Sequence, residues 1–114
     1  MNNSGKIFED IICKFLVDNK HKILERNFIS RFGEIDIISS KDNIIHYVEV
    51  KARKSNSKYY PAESVTKSKI NKIKTTAKFF LLKNPSFANY FMQFDVAEYI
   101  IDKRNINVIE NCFY

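Results

Sequence analysis

Apolar residues recur at helical spacing near the start of the chain and again in its second half. The first pattern predicts an amphipathic helix over residues 5–19, with apolar positions at Ile7, Phe8, Ile11, Ile12, Phe15 and Leu16. The second predicts a long helix that begins after Thr66, a residue type suited to an N-cap, and ends at Asn84-Pro85-Ser86. Its apolar positions are Ile70, Ile73, Ala77, Phe80 and Leu81.

Five stretches have the β-branched or alternating composition of strands: residues 22–31, 34–40, 44–51, 92–101 and 106–112. Gly33 separates the first two, and residues 41–43 supply turn residues between the second and the third. Residues 52–65 are polar and predict a loop. This order predicts an α/β fold, α-β-β-β-α-β-β, with helices flanking a mixed central β-sheet and the second helix as a crossover connection.

Acidic residues lie in the second and third predicted strands at positions that a tight hairpin would bring together. If residues 42–43 form a two-residue turn, the numbers of facing residues sum to 85. Asp36 then lies opposite Glu49, and Glu34 lies opposite Lys51. Period-two alternation puts these four side chains on one face, with cross-strand Cβ distances of about 4.5–5.5 Å.

Two carboxylates that face each other repel, and burial strengthens the repulsion. Apolar neighbours on both faces of these strands predict that Asp36 and Glu49 are half-buried. A divalent cation, a shared proton or the Lys51 ammonium would each compensate the repulsion. Hard oxygen ligands at this spacing suit Mg²⁺ or Mn²⁺, and a lysine beside such an ion stabilises the charge of a reacting phosphate. The simpler alternative is a solvated sheet face on which Glu34 and Lys51 form an ordinary ion pair.

The positive charge of the chain is concentrated in one segment. The chain has 19 Lys and Arg against 13 Asp and Glu, a formal net charge of +6. Residues 51–83 contain ten basic residues and one acid, so this segment carries +9 and the remainder −3. A basic segment beside the acids suits a nucleic-acid backbone, although a solvated lysine-rich helix would look the same. The candidate nucleic-acid contacts are Arg53, Lys54, Lys58, Lys67 and Lys69.

The other features of the sequence predict one small domain. A chain of 114 residues suffices for a single core, so we expect one domain over residues 1–114. Because no apolar run approaches the roughly 18 residues of a membrane span, and no signal peptide is recognisable, we expect a soluble cytoplasmic protein. Cys13 and Cys112 predict free thiols. His21, His46 and Asp95 are expected to have structural roles rather than catalytic ones.

Several short sequence motifs, in a fixed order over almost the full length, resemble the YraN-type family of small bacterial proteins. The motifs are Gly5-x-x-x-Glu9, Ile23-Leu24-Glu25-Arg26-Asn27, Gly33-Glu34-Ile35-Asp36, Tyr47-Val48-Glu49-Val50-Lys51-Ala52-Arg53, Ala62-x-x-Val65, Lys69, Phe94-Asp95-Val96 and Ile109-Glu110-Asn111. That family is grouped with the restriction-endonuclease-like nucleases and the archaeal Holliday junction resolvases.

The resemblance implies a restriction-endonuclease-like fold and a metal site of the PD-(D/E)xK type. In such a site Asp36, Glu49 and the Val50 carbonyl would hold Mg²⁺ or Mn²⁺. Lys51 would be the catalytic lysine, and Glu9, on the first helix, matches the acid that completes the site in the resolvase-like branch.

Two departures from the family pattern concern the substrate rather than the metal. Phe8 stands where the family usually has a small residue before the glutamate. Gln93 stands where an arginine usually precedes Phe-Asp-Val, which removes a phosphate or carboxylate contact.

These features support three hypotheses about function. The leading one is a metal-dependent nuclease that hydrolyses phosphodiester bonds, in DNA rather than RNA, at branched or flapped structures among others. The second is a nucleic-acid-binding module with little or no turnover, and the third is a protein-interaction domain in DNA processing. The intact Asp36…Glu49-x-Lys51 pattern favours the first, because a decayed site would be expected to lose one of these residues. Resolvases act as dimers, so a homodimer is an open alternative.

Overall fold

Two helices and five strands make up the described part of the chain, which comprises residues 3–56 and 66–111 of a computed structural model. The elements are α1 (Asn3–Asp18), β1 (Lys22–Ser30), β2 (Gly33–Lys41), β3 (Ile44–Arg53), α2 (Lys67–Lys83), β4 (Phe91–Ile100) and β5 (Asn105–Ile109). A short 3₁₀ helix, Pro85–Phe87, follows α2. The predicted element order is confirmed. Within the described ranges, no helix is long and apolar enough to cross a membrane.

The five strands form one mixed sheet in the order β1-β2-β3-β4-β5. All neighbouring pairs are antiparallel except β3 and β4, which are parallel. Since α2 lies between these two strands in the sequence, it is the crossover connection that parallel neighbours require. The fold is therefore an α/β fold, as the sequence pattern predicts.

Each helix packs against the sheet through its own group of apolar residues. The α1 group consists of Ile12, Cys13, Leu16, Ile37, Val48 and Ala97. The α2 group consists of Ile35, Ile38, Ile45, Tyr47, Ile73, Ala77, Phe80, Phe94 and Val96. The central strands contribute to both groups, which explains why they are apolar on both faces.

The predicted loop over residues 52–65 is wrong at its beginning. Ala52 and Arg53 extend β3 because β4 offers them partners, Tyr99 and Ile100, in the parallel ladder. Residues 57–65 lie outside the described residues, as does Cys112 at the end of the predicted last strand, whereas β5 itself ends at Ile109. Thr66 caps α2 as predicted, since its side chain accepts a hydrogen bond from the Lys69 N–H at 3.2 Å.

The turn between β2 and β3 is the predicted two-residue turn. Asp42 and Asn43 both have positive φ, 52° and 62°, as a tight turn of the type I′ family requires. The ladder starts at Lys41 opposite Ile44 and runs to Ile37 opposite Val48, so the predicted register is confirmed over this stretch.

Candidate metal centre

Strands β2 and β3 separate where the two central acids lie. Their pairing ends at Ile37 and Val48, whereas β3 continues along β4 as far as Arg53. Just beyond the last pair, the Val50 N–H donates a hydrogen bond to Asp36 Oδ2 at 2.8 Å, so this carboxylate takes the role of a strand carbonyl. We call this point, formed by Asp36, Glu49 and Val50, the strand fork.

The separation of the strands corrects the predicted pairing of Glu34 with Lys51. Glu34 is exposed and pairs with Ile29 of β1, while Lys51 pairs with Glu98 of β4. Past Val48 the residues of β3 are paired with β4 and no longer with β2 in the ladder, so facing residue numbers no longer sum to 85.

The strict alternation predicted through Asp36 is also wrong. Ile37 belongs to the α1 group, whereas Ile35, two residues earlier on the same strand, belongs to the α2 group. Alternation would put both on one face. The pattern therefore breaks at Asp36, whose side chain turns toward β3 instead of standing on either face.

Two cavities meet at the strand fork, one on each side of the sheet. A cavity of about 290 Å³ on the α2 side is lined by Gly33, Glu34, Asp36, Glu49, Lys69, Lys72 and Ile73. A cavity of about 330 Å³ on the α1 side is lined by Gly5, Phe8, Glu9, Asp36, Glu49, Val50, Lys51 and Ala52. Asp36 and Glu49 line both cavities, so a ligand can approach the two carboxylates from either face.

Two lysines contact one oxygen of Glu49. Lys69 Nζ of α2 donates a hydrogen bond to Glu49 Oε1 at 2.7 Å, and Lys51 Nζ lies 3.6 Å from the same oxygen. Burial opposes the charge on Lys69, but the hydrogen bond to Glu49 and the charge of Glu49 outweigh it, so the pKa of Lys69 is raised. In this state the charge of Glu49 is neutralised by groups of the protein itself.

Among the acids that the structure describes, Asp36 is the one whose negative charge is least favoured. Burial is the main cause, and repulsion by Glu49 is the next, so the pKa of Asp36 is raised to about 7 even though the Val50 N–H works in the opposite direction. A cation bound between the two carboxylates would relieve both effects.

Glu9 lines the α1-side cavity but is held by residues of β1. Its Oε1 accepts a hydrogen bond from Asn27 Nδ2 at 3.0 Å, and Arg26 Nη2 lies 3.6 Å from the same oxygen. The neighbouring Phe8 packs against Tyr99, with ring centroids 5.6 Å apart. Within residues 3–56 and 66–111, no three Asp, Glu, His or Cys side chains are grouped closely enough to hold one metal ion. The candidate ligand set is therefore the Asp36–Glu49 pair with the Val50 main chain, while Glu9 stays a prediction.

The predicted nucleic-acid contacts have different environments. Arg53 donates two hydrogen bonds to the buried Glu98, at 2.8 and 3.2 Å, so its guanidinium holds β3 to β4 instead of standing free for a phosphate. Lys69 contacts Glu49, as described above. Lys54 and Lys67 are exposed. The fifth candidate, Lys58, lies outside the described residues.

The two histidines and Asp95 form a polar group that lines neither of the two cavities at the strand fork. His46 Nδ1 and Asp95 Oδ2 are 2.8 Å apart, and both side chains are buried. His21 contacts Ser39 at 2.9 Å, and burial followed by the nearby His46 lowers the pKa of His21 to about 4. Gln93 donates a hydrogen bond to Asp95 Oδ1 at 2.9 Å, so a carboxylate contact persists at the position where an arginine is usual.

Sequence reasoning missed three residues that hold predicted site residues in place. Arg26 and Asn27 orient Glu9, and Glu98 binds Arg53, but none of these three is singled out by spacing or charge. The only sequence signal for the first two is the motif Ile23–Asn27, which belongs to the family resemblance. Lys69 is named by the sequence, although as a phosphate contact and not as a partner of Glu49.

Comparison with known proteins agrees with the resemblance seen in the sequence. A family model described as "Uncharacterised protein family UPF0102" matches residues 8–99. A UPF0102 protein of Clostridium novyi is 50% identical over 113 residues, covering 96% of this chain and 93% of the relative. A UPF0102 protein of Campylobacter hominis is 45% identical over 103 residues, covering 90% and 87%. One of Caldicellulosiruptor bescii is 41% identical over 113 residues, covering 96% and 95%. The resemblance to the YraN-type family is thereby confirmed.

Proposed function

This chain belongs to the UPF0102 family, and from that premise and the geometry of the strand fork we propose that it is a divalent-metal-dependent nuclease acting on DNA. The observation that carries the proposal is the fork itself. Asp36 is hydrogen-bonded to the Val50 N–H and lines two cavities together with Glu49. A half-buried pair of carboxylates beside open cavities on both faces has the form of a cation site that a substrate can reach.

The donor atoms at the strand fork fit Mg²⁺ or Mn²⁺. Asp36 and Glu49 offer carboxylate oxygens, which are the ligands these hard cations prefer, and such ions commonly bind through one or two carboxylates plus a substrate phosphate. The Val50 carbonyl is the third proposed ligand. A divalent ion held there supplies a Lewis acid that polarises a phosphate and makes water a better nucleophile at neutral pH.

The residues of the chain have separate roles in this proposal. Asp36 and Glu49 hold the cation and orient a bound phosphate with respect to it. Lys51 lines the α1-side cavity with both acids, so its ammonium can donate to a phosphate oxygen and neutralise the charge that grows there. Glu9 lines the same cavity and would complete the site, with its Oε1 bound by Asn27.

The charge around the strand fork supports a nucleic-acid substrate. Helix α2 contains six lysines and no acidic residue, and its Lys69 and Lys72 line the α2-side cavity. Positive charge beside a cation site attracts the phosphate backbone and positions it for cleavage. We propose DNA, including branched or flapped forms, as the substrate class.

One contact favours a second candidate, a nucleic-acid-binding module without turnover. The hydrogen bond of 2.7 Å between Lys69 Nζ and Glu49 Oε1 pairs the charge of Glu49 with a cationic group of the protein itself. A site that is already neutralised in this way can hold a phosphate between lysines and leave it intact.

Cleavage assays on matched variants test the proposal. The protein is incubated with plain, flapped and four-way DNA in Mg²⁺ or Mn²⁺, beside the variants Asp36→Asn and Lys51→Ala. We expect each variant to lower the cleavage rate by about 100-fold or more, because Asp36→Asn removes a ligand of the cation and Lys51→Ala removes the positive charge beside the reacting phosphate. Asp42→Asn is the matched control, since Asp42 is exposed in the hairpin turn and asparagine tolerates its positive φ.

The possible results separate the candidates. Cleavage that persists in both Asp36→Asn and Lys51→Ala would rule out the strand fork as the catalytic site. Salt-sensitive binding of DNA with no cleavage under any metal condition would establish the second candidate instead.

A further inference from the structure

A groove along α2 lies next to the strand fork and shares Lys72 with the α2-side cavity. Its volume is about 450 Å³. The residues that line it are Phe32, Lys67, Ser68, Asn71, Lys72 and Thr75. We call it the α2 groove.

One wall of the α2 groove is a polar stripe of the helix. Its five α2 residues are spaced i, i+1, i+4, i+5 and i+8, so they share one helix face. Two are lysines and the other three carry hydroxyl or amide groups. Since α2 has no acidic residue, this wall offers positive charge and neutral hydrogen-bonding groups with no repulsion of an anion from the helix itself.

The other wall is an aromatic ring that remains 39% exposed. Phe32 lies at the turn between β1 and β2 and stacks on Phe79 of α2, with ring centroids 5.7 Å apart and an angle of 24° between the planes. The Arg31 guanidinium lies 5.0 Å from the centroid of the Phe32 ring. The wall therefore presents an aromatic ring together with a flat cationic group, both of which stack on nucleic-acid bases.

The α2 groove adjoins the cavity that contains the two acids. Lys72 lines both of them. Gly33, which lines the cavity with the two acids, lies against Lys72, since a Cβ there would be 3.4 Å from Lys72 Cβ. A chain lying in the groove would thus pass from Phe32, along Lys72, to Asp36 and Glu49.

We propose that the α2 groove binds an unpaired strand of nucleic acid and guides it toward the strand fork. Lysines alone would suit any polyanion, including an acidic peptide or a duplex. The exposed ring distinguishes the unpaired strand, because the bases of a duplex are stacked inside it and cannot reach Phe32, whereas every unpaired base has a free face. The path from the groove to cleavage depends on the proposed function, but binding in the groove does not.

A tryptophan in the groove reports stacking directly. The chain contains no tryptophan, so Phe32→Trp creates a single fluorophore in the α2 groove. We expect single-stranded oligothymidylate to quench its fluorescence in EDTA, where no cleavage occurs, and a blunt duplex of equal charge to quench it much less. Phe91→Trp is the control, because Phe91 is 77% exposed and pairs with Ile44 at the opposite end of β3.

Binding of a single-stranded oligonucleotide, measured by fluorescence anisotropy in EDTA, gives a second readout on variants without the tryptophan. Phe32→Ala and Phe32→Leu should each weaken binding of the single strand by about tenfold, since both lack a ring. Phe91→Ala should leave it unchanged. Lys72→Gln should reduce the slope of log K against log salt by about 0.7, as expected for one phosphate contact on a single strand. Thermal unfolding of each variant verifies the fold.

Three results would overturn the inference. They are equal quenching by duplex and single strand, full binding by Phe32→Leu, and binding of oligoglutamate as tight as that of the oligonucleotide. Because these measurements use no metal, they are separate from the cleavage assays. Binding of the single strand without cleavage would support strand binding in the α2 groove and contradict nuclease activity. Cleavage that is insensitive to Phe32→Ala, with no fluorescence quenching, would contradict only the binding in the groove.

Discussion

The acids Glu98, Glu49 and Asp36 differ in what compensates their negative charge. Glu98 is bound by Arg53 and by Asn107 Nδ2 at 2.8 Å, and Glu49 is bound by Lys69 and approached by Lys51. Asp36 instead faces Glu49 and is buried beside it, which raises its pKa. Of these three residues, Asp36 therefore gains most from an added cation.

The Glu98–Arg53 pair predicts a pH-dependent contribution to stability. Burial opposes ionisation of Glu98, but the hydrogen bonds from Arg53 and Asn107 and the charge of Arg53 outweigh it, so the pKa of Glu98 is lowered. A lowered folded-state pKa gives stability that is complete above the unfolded value of about 4.5 and is lost as the pH falls through the folded value. We expect Glu98→Gln to lower the free energy of unfolding by about 3 kcal/mol at pH 7, because it breaks a buried ion pair.

Urea denaturation at pH 7 and near pH 3 checks this prediction. The difference in free energy of unfolding between the native protein and Glu98→Gln should be smaller at the lower pH. Glu110→Gln is the control, because Glu110 is exposed and should give little difference at either pH. A difference in free energy of unfolding that stays constant or grows on acidification would mean that the charge of Glu98 does not stabilise the fold.

At the scale of elements, the β2–β3 hairpin decides which residues meet at the strand fork. Its turn sets the register from Lys41 and Ile44 as far as Ile37 and Val48, and Asp36 and Glu49 follow directly. The turn needs two residues with positive φ, which only a few residue types adopt without strain.

Substitutions in the turn should therefore change the stability of the hairpin in opposite directions. Asn43→Val should lower the free energy of unfolding by about 1–2 kcal/mol, because a β-branched side chain is strained at a φ of 62°. Asn43→Gly should be neutral or slightly stabilising, since glycine adopts this conformation freely. Chemical denaturation measures both changes. Equal destabilisation by the two variants would contradict the role given to backbone conformation here.

At the scale of the whole molecule, two helices on opposite faces of one sheet leave the strand fork open from both sides. The α1-side cavity brings Glu9 and Lys51 to the acids, and the α2-side cavity brings Lys69 and Lys72. The two sides differ in charge, because α2 carries six lysines and no acid. The α2 face of the fork is therefore rich in lysines, whereas the α1 face adds a third acid, Glu9.

Metal binding at the fork should stabilise the entire domain. A ligand that binds only the folded state raises the free energy of unfolding by about 2.7 kcal/mol when its concentration is 100 times its Kd. We expect Mn²⁺ to produce this rise in the native protein and to produce none in Asp36→Asn. Denaturant titrations with and without Mn²⁺ measure it, and EDTA should reverse it. Asp42→Asn should respond like the native protein, and an equal response in Asp36→Asn would contradict a site at the fork.

The sequence by itself determined the features that depend on residues close to one another along the chain. Periodicity, the Thr66 cap and the two-residue turn predict the elements, their order and the register of the hairpin, because these follow from local backbone preferences. The proximity of Asp36 and Glu49 follows from the same turn. The family motifs then single out Lys51, and membership of UPF0102 is confirmed.

Only the tertiary structure decided how the candidate site is arranged around those two acids. Past Val48, β3 continues along β4 while β2 continues along β1, which separates Glu34 from Lys51 and places Arg53 against Glu98. The packing of α2 brings Lys69 to Glu49, 20 positions away in the sequence. Such contacts depend on which distant elements share a face of the sheet, and no local pattern in the chain encodes that choice.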